Sequence, residues 1–485
     1  MIIQIFVVKM VKCESIMLSI GEILEIIRRE SIRWLELQFM DLVGIIHAVT
    51  VPSRELSIEV FKTGFSKLDG SSIVGFEDIS LSDLNLVPDP ATFSILPWTI
   101  DGDKISRFIC KVYGVLASSR LERDPRYIAE KMRSYLDSNG LKAYIGPEIE
   151  FFLFTKVEVN FKNPSSGIGY YLESPEAPWA CNGYPINYKS GYFIPKPLDK
   201  VYDYRIVLSR ILEEYFNIPV EAHHHEAAAS SQVEVNIRYS ELPKACDDVL
   251  TLRYAARRIG EQFNFYVTFM PKPVYGDNGS GMHAHVSIWR GNENLFYDPN
   301  DEYAELSQYA RYFIGGLIEH GRSLSALASP TVNSYKRLVP CYEAPIYLVW
   351  SKANRSAAIR VPVYKKGDYM KRIEYRPPDP LANPYLLFPA MILAGLDGVK
   401  KKIDPGDPID KNIYHMSDEE RAKYNIKTLP RDLYEALDEL ESDNEYLKPI
   451  FSSSLIEEYI EIKKREIREV TQYISPSEIY HYFSW

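Results

Sequence analysis

Gln232-Val233-Glu234-Val235-Asn236-Ile237-Arg238 alternates without a break, polar or charged at the even positions and aliphatic at the odd ones. Successive side chains of a β-strand point to opposite faces, so this stretch makes a strand with one apolar face and one face of carboxylate, amides and guanidinium. Taken alone, such a strand usually has a solvated outer face. Three further stretches repeat the arrangement. In Gly146-Pro147-Glu148-Ile149-Glu150-Phe151 the two glutamates share a face; in His283-Ala284-His285-Val286-Ser287-Ile288 two histidines and a serine line up; in Arg372-Ile373-Glu374-Tyr375-Arg376 two arginines flank a glutamate. Solvated strands tend to mix Lys, Thr and Ser, whereas these carry Glu, His, Asn and Arg. Together they predict a curved sheet whose concave face is an active site.

The polar faces define a chemistry. Glu148, Glu150, Glu226, Glu234 and Glu374 with His283 make five carboxylates and one imidazole. Carboxylates crowded together repel unless cations neutralise them. Oxygen-dominated ligation selects hard ions such as Mg²⁺, and one nitrogen also admits Mn²⁺. Six ligands divide into two sites of three, and paired metals are a known clamp for a transferring phosphoryl group. From 336 to 376 the chain has ten Lys and Arg against Glu343, Asp368 and Glu374, a local +7 in a chain of net charge −10. The bland alternative is a solvated basic loop. The arginines of Asn354-Arg355-Ser356-Ala357-Ala358-Ile359-Arg360 instead sit among small and apolar residues, which suits planar, bidentate contact with phosphate.

Working outward, Ser19-x-x-Glu22 is a capping box that opens an amphipathic helix just after Met17. Residues 1–16 are a short N-terminal extension or the product of an upstream start codon. Residues 32–115 read as β-rich, with strands over 32–39, 45–51 and 108–115 and turns at Asp69-Gly70, Pro88-Asp89-Pro90 and Asp101-Gly102. Asp124 as N-cap, Pro125 at the first helical position and Gly140 as a stop predict the next helix. A domain boundary is placed near residue 118, dividing the chain into 17–118 and 119–485. From there to about 380 strands alternate with helices such as 243–262 and 302–319, and the last hundred residues are mainly helical, notably 429–470.

A chain of 485 residues buries a sizeable core and favours more than one domain. The acidic balance gives no reason to expect nucleic acid. Five cysteines at 13, 110, 181, 246 and 341 have no C-x-x-C spacing, so neither a disulfide framework nor a zinc site is implied and a reducing, cytoplasmic setting is expected. No apolar run reaches the roughly 20 residues of a membrane span.

From about Leu18 onward the chain resembles glutamine synthetase of the type I, bacterial and archaeal, form. The resemblance is carried by Asp69-Gly70-Ser71-Ser72-Ile73, GPEIEFFLF (146–154), EAHHHE (221–226), NGSGMHAHVS (278–287), YKRLVPCYEAP (335–345), NRSAAIR (354–360) and RIEYRPPDPLANPY (372–385). It implies an α+β fold: a small β-grasp domain, then a larger domain whose curved antiparallel sheet forms a half-barrel flanked by helices. It implies that Glu150, Glu226 and Glu234 hold one metal and Glu148, His283 and Glu374 the other. Asn278, Gly279, Arg337 and Arg376 match glutamate-binding positions; Glu221, His285, Ser287, Arg355 and Arg360 match positions around ATP. Asp69 matches an acid that helps bind ammonium in the neighbouring subunit's site, and Glu343 a flap residue over the intermediate. The implied reaction joins ammonia to the γ-carboxylate of L-glutamate through a γ-glutamyl phosphate, giving glutamine, ADP and phosphate. Catalysis would rest on Asp69, Glu343 and Arg355. Such proteins form a homo-oligomer, usually a dodecamer of two hexameric rings with intersubunit sites.

Some residues depart from the family pattern. Cys341 and Ser231 stand where the family usually has Gly, Val233 replaces a commonly polar neighbour, and the segment between Arg360 and Glu374 is about one residue longer. These departures leave open a γ-glutamyl ligase for another amine, such as a polyamine, or a non-catalytic family member. Retention of Asp69, Glu343 and all six ligands favours ammonia. Tyr414 matches a tyrosine that some members adenylylate, but His415-Met416-Ser417 depart from the usual Asp-Leu-Pro, and a packing role is expected. His223 and His320 are expected to be structural.

Overall fold

Ser19 closes its capping box as the spacing predicts: Glu22 N–H donates to Ser19 Oγ at 3.3 Å and Ser19 N–H to Glu22 Oε2 at 2.7 Å, at the start of the helix Ile20–Arg29. The computed structural model describes residues 18–77, 79, 82–114, 119–180, 183–340, 342–363 and 367–484. The extension over 1–16, Cys341, residue 118 and part of the lengthened 360–374 segment lie outside those residues. Ile23 and Ile27, one turn apart, are the buried side chains of that helix and join Leu35, Leu37, Phe61 and Phe108 in a first core.

The sheet beneath that helix has six strands. Its order is Ile46–Pro52, Ile32–Met40, Asp103–Gly114, Asp83–Pro88, Phe65–Asp69, with Ser94–Ile100 also paired to Asp103–Gly114. The central pair, Ile32–Met40 with Asp103–Gly114, is parallel and sets Leu37 opposite Phe108. This is the β-grasp unit.

Asp124 then accepts from Arg126 N–H at 3.0 Å with Pro125 at the first position of the helix Pro125–Ser138. The helix ends just before Gly140, which takes a left-handed φ of +65°. The second sheet has ten strands, in the order Val220–His225, Gln232–Ile237, Lys142–Phe154, Met282–Arg290, Ile373–Tyr375, Ala357–Val361, Tyr347–Lys352, Lys427–Thr428. Two short strands, Tyr266–Thr268 and Glu293–Asn294, pair with Lys142–Phe154 and Met282–Arg290. It is antiparallel except that Tyr347–Lys352 and Ala357–Val361 run parallel. The odd residues of the opening motif, Val233, Val235 and Ile237, lie with Ile149, Phe151, Ala284, Val286 and Ile373 in the main core, which the helices Lys244–Gln262 and Pro384–Lys401 share. The even residues are left for the concave face.

Two helix readings shift. The helix expected from 302 runs Gln308–Glu319, because Asp301 Oδ2 draws the N–H groups of Ala304 and Leu306 (2.9 and 3.0 Å) into a turn and Ser307 becomes the cap. The 429–470 stretch divides into Leu433–Ser442 and Ser453–Thr471, each opened by its own cap, Asp432 and Ser452. Among the described residues no helix is long and apolar enough to cross a membrane.

Candidate active site

Strand register assembles the site. Residues directly opposite on neighbouring strands project from the same face, a few ångströms apart. One row runs His224–Glu234–Glu150, the next Asn236–Glu148–His283, and a third His285–Glu374–Arg360. Glu148, Glu150, Glu226, Glu234, His283 and Glu374 all line one cleft of about 270 Å³. Glu226 enters it from the turn that follows Val220–His225, where its N–H bonds Gln232 O at 2.8 Å.

The electrostatics of this cleft divide it in two. Burial pushes Glu150 and Glu226 up, each to about 8, and a neighbouring carboxylate adds to both: Glu226 acts on Glu150, and Glu234 on Glu226. Burial also raises Glu234, against the pull of His224 at 3.5 Å. In the other half, burial is outweighed. Glu148 is held well below its ordinary value by His285 at 2.9 Å and His283 at 3.4 Å. Glu374 falls to about 2 despite complete burial, with Arg376 at 2.5 Å and Arg360 also bonded to its carboxylate. His283 drops to about 4 through burial and the charge of Arg376, which leaves a neutral imidazole with nitrogens to offer.

Glu150 and Glu226, raised by burial and by a neighbouring carboxylate, and the ionised Glu148 and Glu374 beside a neutral His283 supply the oxygen donors with one nitrogen that hard divalent cations take, so the residues fit such ions. Among the described residues, two groupings have ligand atoms within 4.8 Å of one another: Glu148–His285–Glu374 and His224–Glu226–Glu234. Each exchanges one member of the set that the resemblance implies: His285 stands for His283, and His224 for Glu150. His283 stays within 3.8 Å of Glu374 and 4.0 Å of Glu150, between the two groups.

Around this centre, His285, Asn278, Gly279, Arg337, Glu343, Arg355, Arg360 and Arg376 line the same cleft. Asn278 Oδ1 is buried with no hydrogen-bond partner among the described residues, an acceptor waiting for a ligand. Arg337 is fixed by the carbonyls of Pro377 and Arg376, at 2.7 and 3.2 Å. Glu343 sits exposed at the mouth with φ +57°. Beside it the Tyr342 ring lies 4.0 Å from both Lys189 Nζ and Lys272 Nζ.

Three expected residues are not brought into the cleft of this chain. Glu221 is exposed, with its carboxylate 3.8 Å from Arg238. Ser287 lies further along the strand of His283 and His285, where its Oγ accepts from Trp289 Nε1 at 2.9 Å. Asp69 is exposed on the β-grasp unit, its carboxylate bonded by Ser71 and Ser72 (Oγ at 2.7 and 3.1 Å).

The sequence reading missed His224, although its two-residue spacing to Glu226 was a signal. It also missed Tyr192 and Phe193, stacked at 4.1 Å, with Phe193 packing edge-on to His224 at 4.5 Å. They come from an irregular connection with no periodicity to read. His320 is structural, bonded by Asp397 and Asp443 at 2.8 Å each. Tyr414 is half-buried and its hydroxyl donates to Ala344 O at 2.6 Å.

Two family profiles match the chain. The one described as glutamine synthetase, catalytic domain, covers residues 122–482, and the one described as glutamine synthetase, beta-Grasp domain, covers 31–115. A glutamine synthetase of Sulfolobus acidocaldarius is 52% identical over 464 residues, which is 95% of this chain and 98% of the relative. One from Archaeoglobus fulgidus is 41% identical over 475 residues, covering 94% and 96%. Among solved structures, a glutamine synthetase of Plasmodium falciparum superposes with a TM-score of 0.87 at 28% identity, covering 97% of this chain and all of that one. A structure described as a GmaS/ADP complex gives a TM-score of 0.80 at 25% identity, covering 95% and 99%.

Proposed function

The chain belongs to the glutamine synthetase family, and from that premise we propose that its cleft joins ammonia to the γ-carboxylate of L-glutamate at the expense of ATP. The observation that carries this reading is the convergence of five carboxylates and His283 from separate strands opposite Arg337, Arg355, Arg360 and Arg376. Glu150, Glu226 and Glu234 would hold one divalent cation, and Glu148, His283 and Glu374 the other, as Mg²⁺ or Mn²⁺. Such ions supply charge neutralisation to the phosphate oxygens during phosphoryl transfer.

The protein's own residues do the rest. Asn278, Gly279, Arg337 and Arg376 orient glutamate so that its γ-carboxylate oxygen attacks the γ-phosphorus of ATP, which releases ADP and leaves a γ-glutamyl phosphate. His285, Arg355 and Arg360 face the nucleotide phosphates, and Arg355 balances charge as the phosphoryl group moves. Glu343 at the mouth excludes water from the acyl phosphate and, with Asp69, binds ammonium and takes its proton. Ammonia then attacks the acyl carbon and phosphate leaves. Asp69, exposed on the surface of its own subunit, would complete the cleft of a neighbour in a homo-oligomer, a dodecamer of two hexameric rings. The protein works in the cytoplasm, consistent with its scattered cysteines.

Incubation with ATP, Mg²⁺, glutamate and a panel of amines, followed by mass analysis, tests the reading. Glutamine from ammonium is expected; a γ-glutamyl polyamine in its place contradicts it. Asp69→Ala should raise KM for ammonium far more than KM for ATP.

A further inference from the structure

Ser231 is completely buried in a left-handed backbone conformation, φ +56°, in the turn between the strands Val220–His225 and Gln232–Ile237. Glycine takes that conformation freely, whereas a serine must be held in it. The hold is visible. Ser231 Oγ donates to Glu176 Oε2 at 2.5 Å and lies 2.9 Å from Ser174 Oγ. Glu176 is completely buried as well; its Oε2 also lies 3.1 Å from His225 Nε2, and its Oε1 accepts from the Lys200 N–H.

This network grips both arms of the turn. On one side, His225 Nδ1 lies 2.7 Å from the carbonyl oxygen of Glu226. On the other, Ser231 O accepts from Leu153 N–H at 3.2 Å, and the side-chain amide of the next residue, Gln232, donates to Glu150 Oε2 at 3.1 Å. Ser231, Ser174 and Glu176 do not line the cleft, so their contact with its chemistry is indirect.

We propose that Ser231 is a positioning residue: its hydroxyl, locked onto Glu176, sets the turn that brings Glu226 and Glu234 to a common cation. This rests on the metal-holding roles proposed above. A residue that supports a ligand without touching the ion typically changes metal affinity by ~10–100-fold when replaced.

The test is a Mn²⁺ titration of the full chain, followed by electron paramagnetic resonance, for wild type, Ser231→Gly and Ser231→Ala. Glutamine formation is measured in parallel as a function of Mn²⁺. Both variants should bind Mn²⁺ about 10-fold more weakly. They should recover kcat at saturating Mn²⁺ and keep an unchanged KM for glutamate. Ser231→Ala should also melt lower than Ser231→Gly, since alanine keeps the strained backbone and lacks the lock. A Ser231→Gly protein with wild-type Mn²⁺ affinity overturns the proposal, whatever its melting temperature. A wild-type protein that binds no Mn²⁺ overturns the ligand roles themselves and this proposal with them.

Discussion

The tetrapeptide Val-Glu-Val-Asn occurs twice, at 157–160 and at 233–236, and both copies are β-strand. In the strand Lys156–Asn163 every residue is exposed; Val159 is 59% accessible and Phe161 54%. In Gln232–Ile237, Val233 and Val235 are completely buried and Glu234 faces the cleft. The difference lies in the neighbours. Among the described residues, Lys156–Asn163 pairs only with Gly167–Glu173, in a two-stranded ribbon. Gln232–Ile237 is bordered on both sides, with helices beneath it. Alternation makes a strand; company on its apolar face makes the polar face a site.

The comparison breaks most sharply at the two glutamates. Glu234→Ala should lower glutamine formation by more than ~100-fold, beyond the usual effect of replacing a residue that merely supports a ligand. Glu158→Ala should leave it unchanged. Equal activities in a steady-state assay would remove the distinction.

The crowding around Glu234 sets the next effect. Glu150 and Glu226 keep their protons to about 8 in the folded, metal-free chain, against an ordinary value of 4.5. The folded state therefore binds more protons than the unfolded one between those limits. The stabilisation is full below 4.5 and is lost as pH rises through about 8. Thermal melts of metal-free protein should fall across that window, and saturating Mg²⁺ should flatten the profile because the ion replaces the protons. A metal-free melting temperature that rises with pH would contradict the assignment. The smallest contrast is in packing. Val235→Ala should cost about 2 kcal/mol in denaturant unfolding, a lost methyl pair plus a cavity. Val159→Ala should stay within ~0.5 kcal/mol.

What was legible in the sequence follows the range of the forces involved. Caps are local, so the spacing around Ser19 and Asp124 suffices to place both, and four alternating stretches of like chemistry mark the concave face without any knowledge of register. Register is long-range, and it decides which atoms meet. Hence the place of Glu148 opposite His283, its diagonal 2.9 Å contact with His285 and the place of His224 opposite Glu234 come only from the sheet. Asp69 carries a motif but no direction, and its exposed carboxylate does not line its own chain's cleft. Tyr192 and Phe193 arrive on a connection whose path no periodicity records. Ser230-Ser231-Gln232 does not itself announce a left-handed residue, and the one hint to the φ of Ser231 is that the family usually has Gly there.

The most direct test of the central claim counts Mn²⁺ ions bound per chain at equilibrium in wild type, Glu234→Gln and Glu158→Gln. Wild type and Glu158→Gln should bind the same number, at least two, and Glu234→Gln one fewer. A Glu234→Gln protein that still bound the full complement with wild-type affinity would contradict the account.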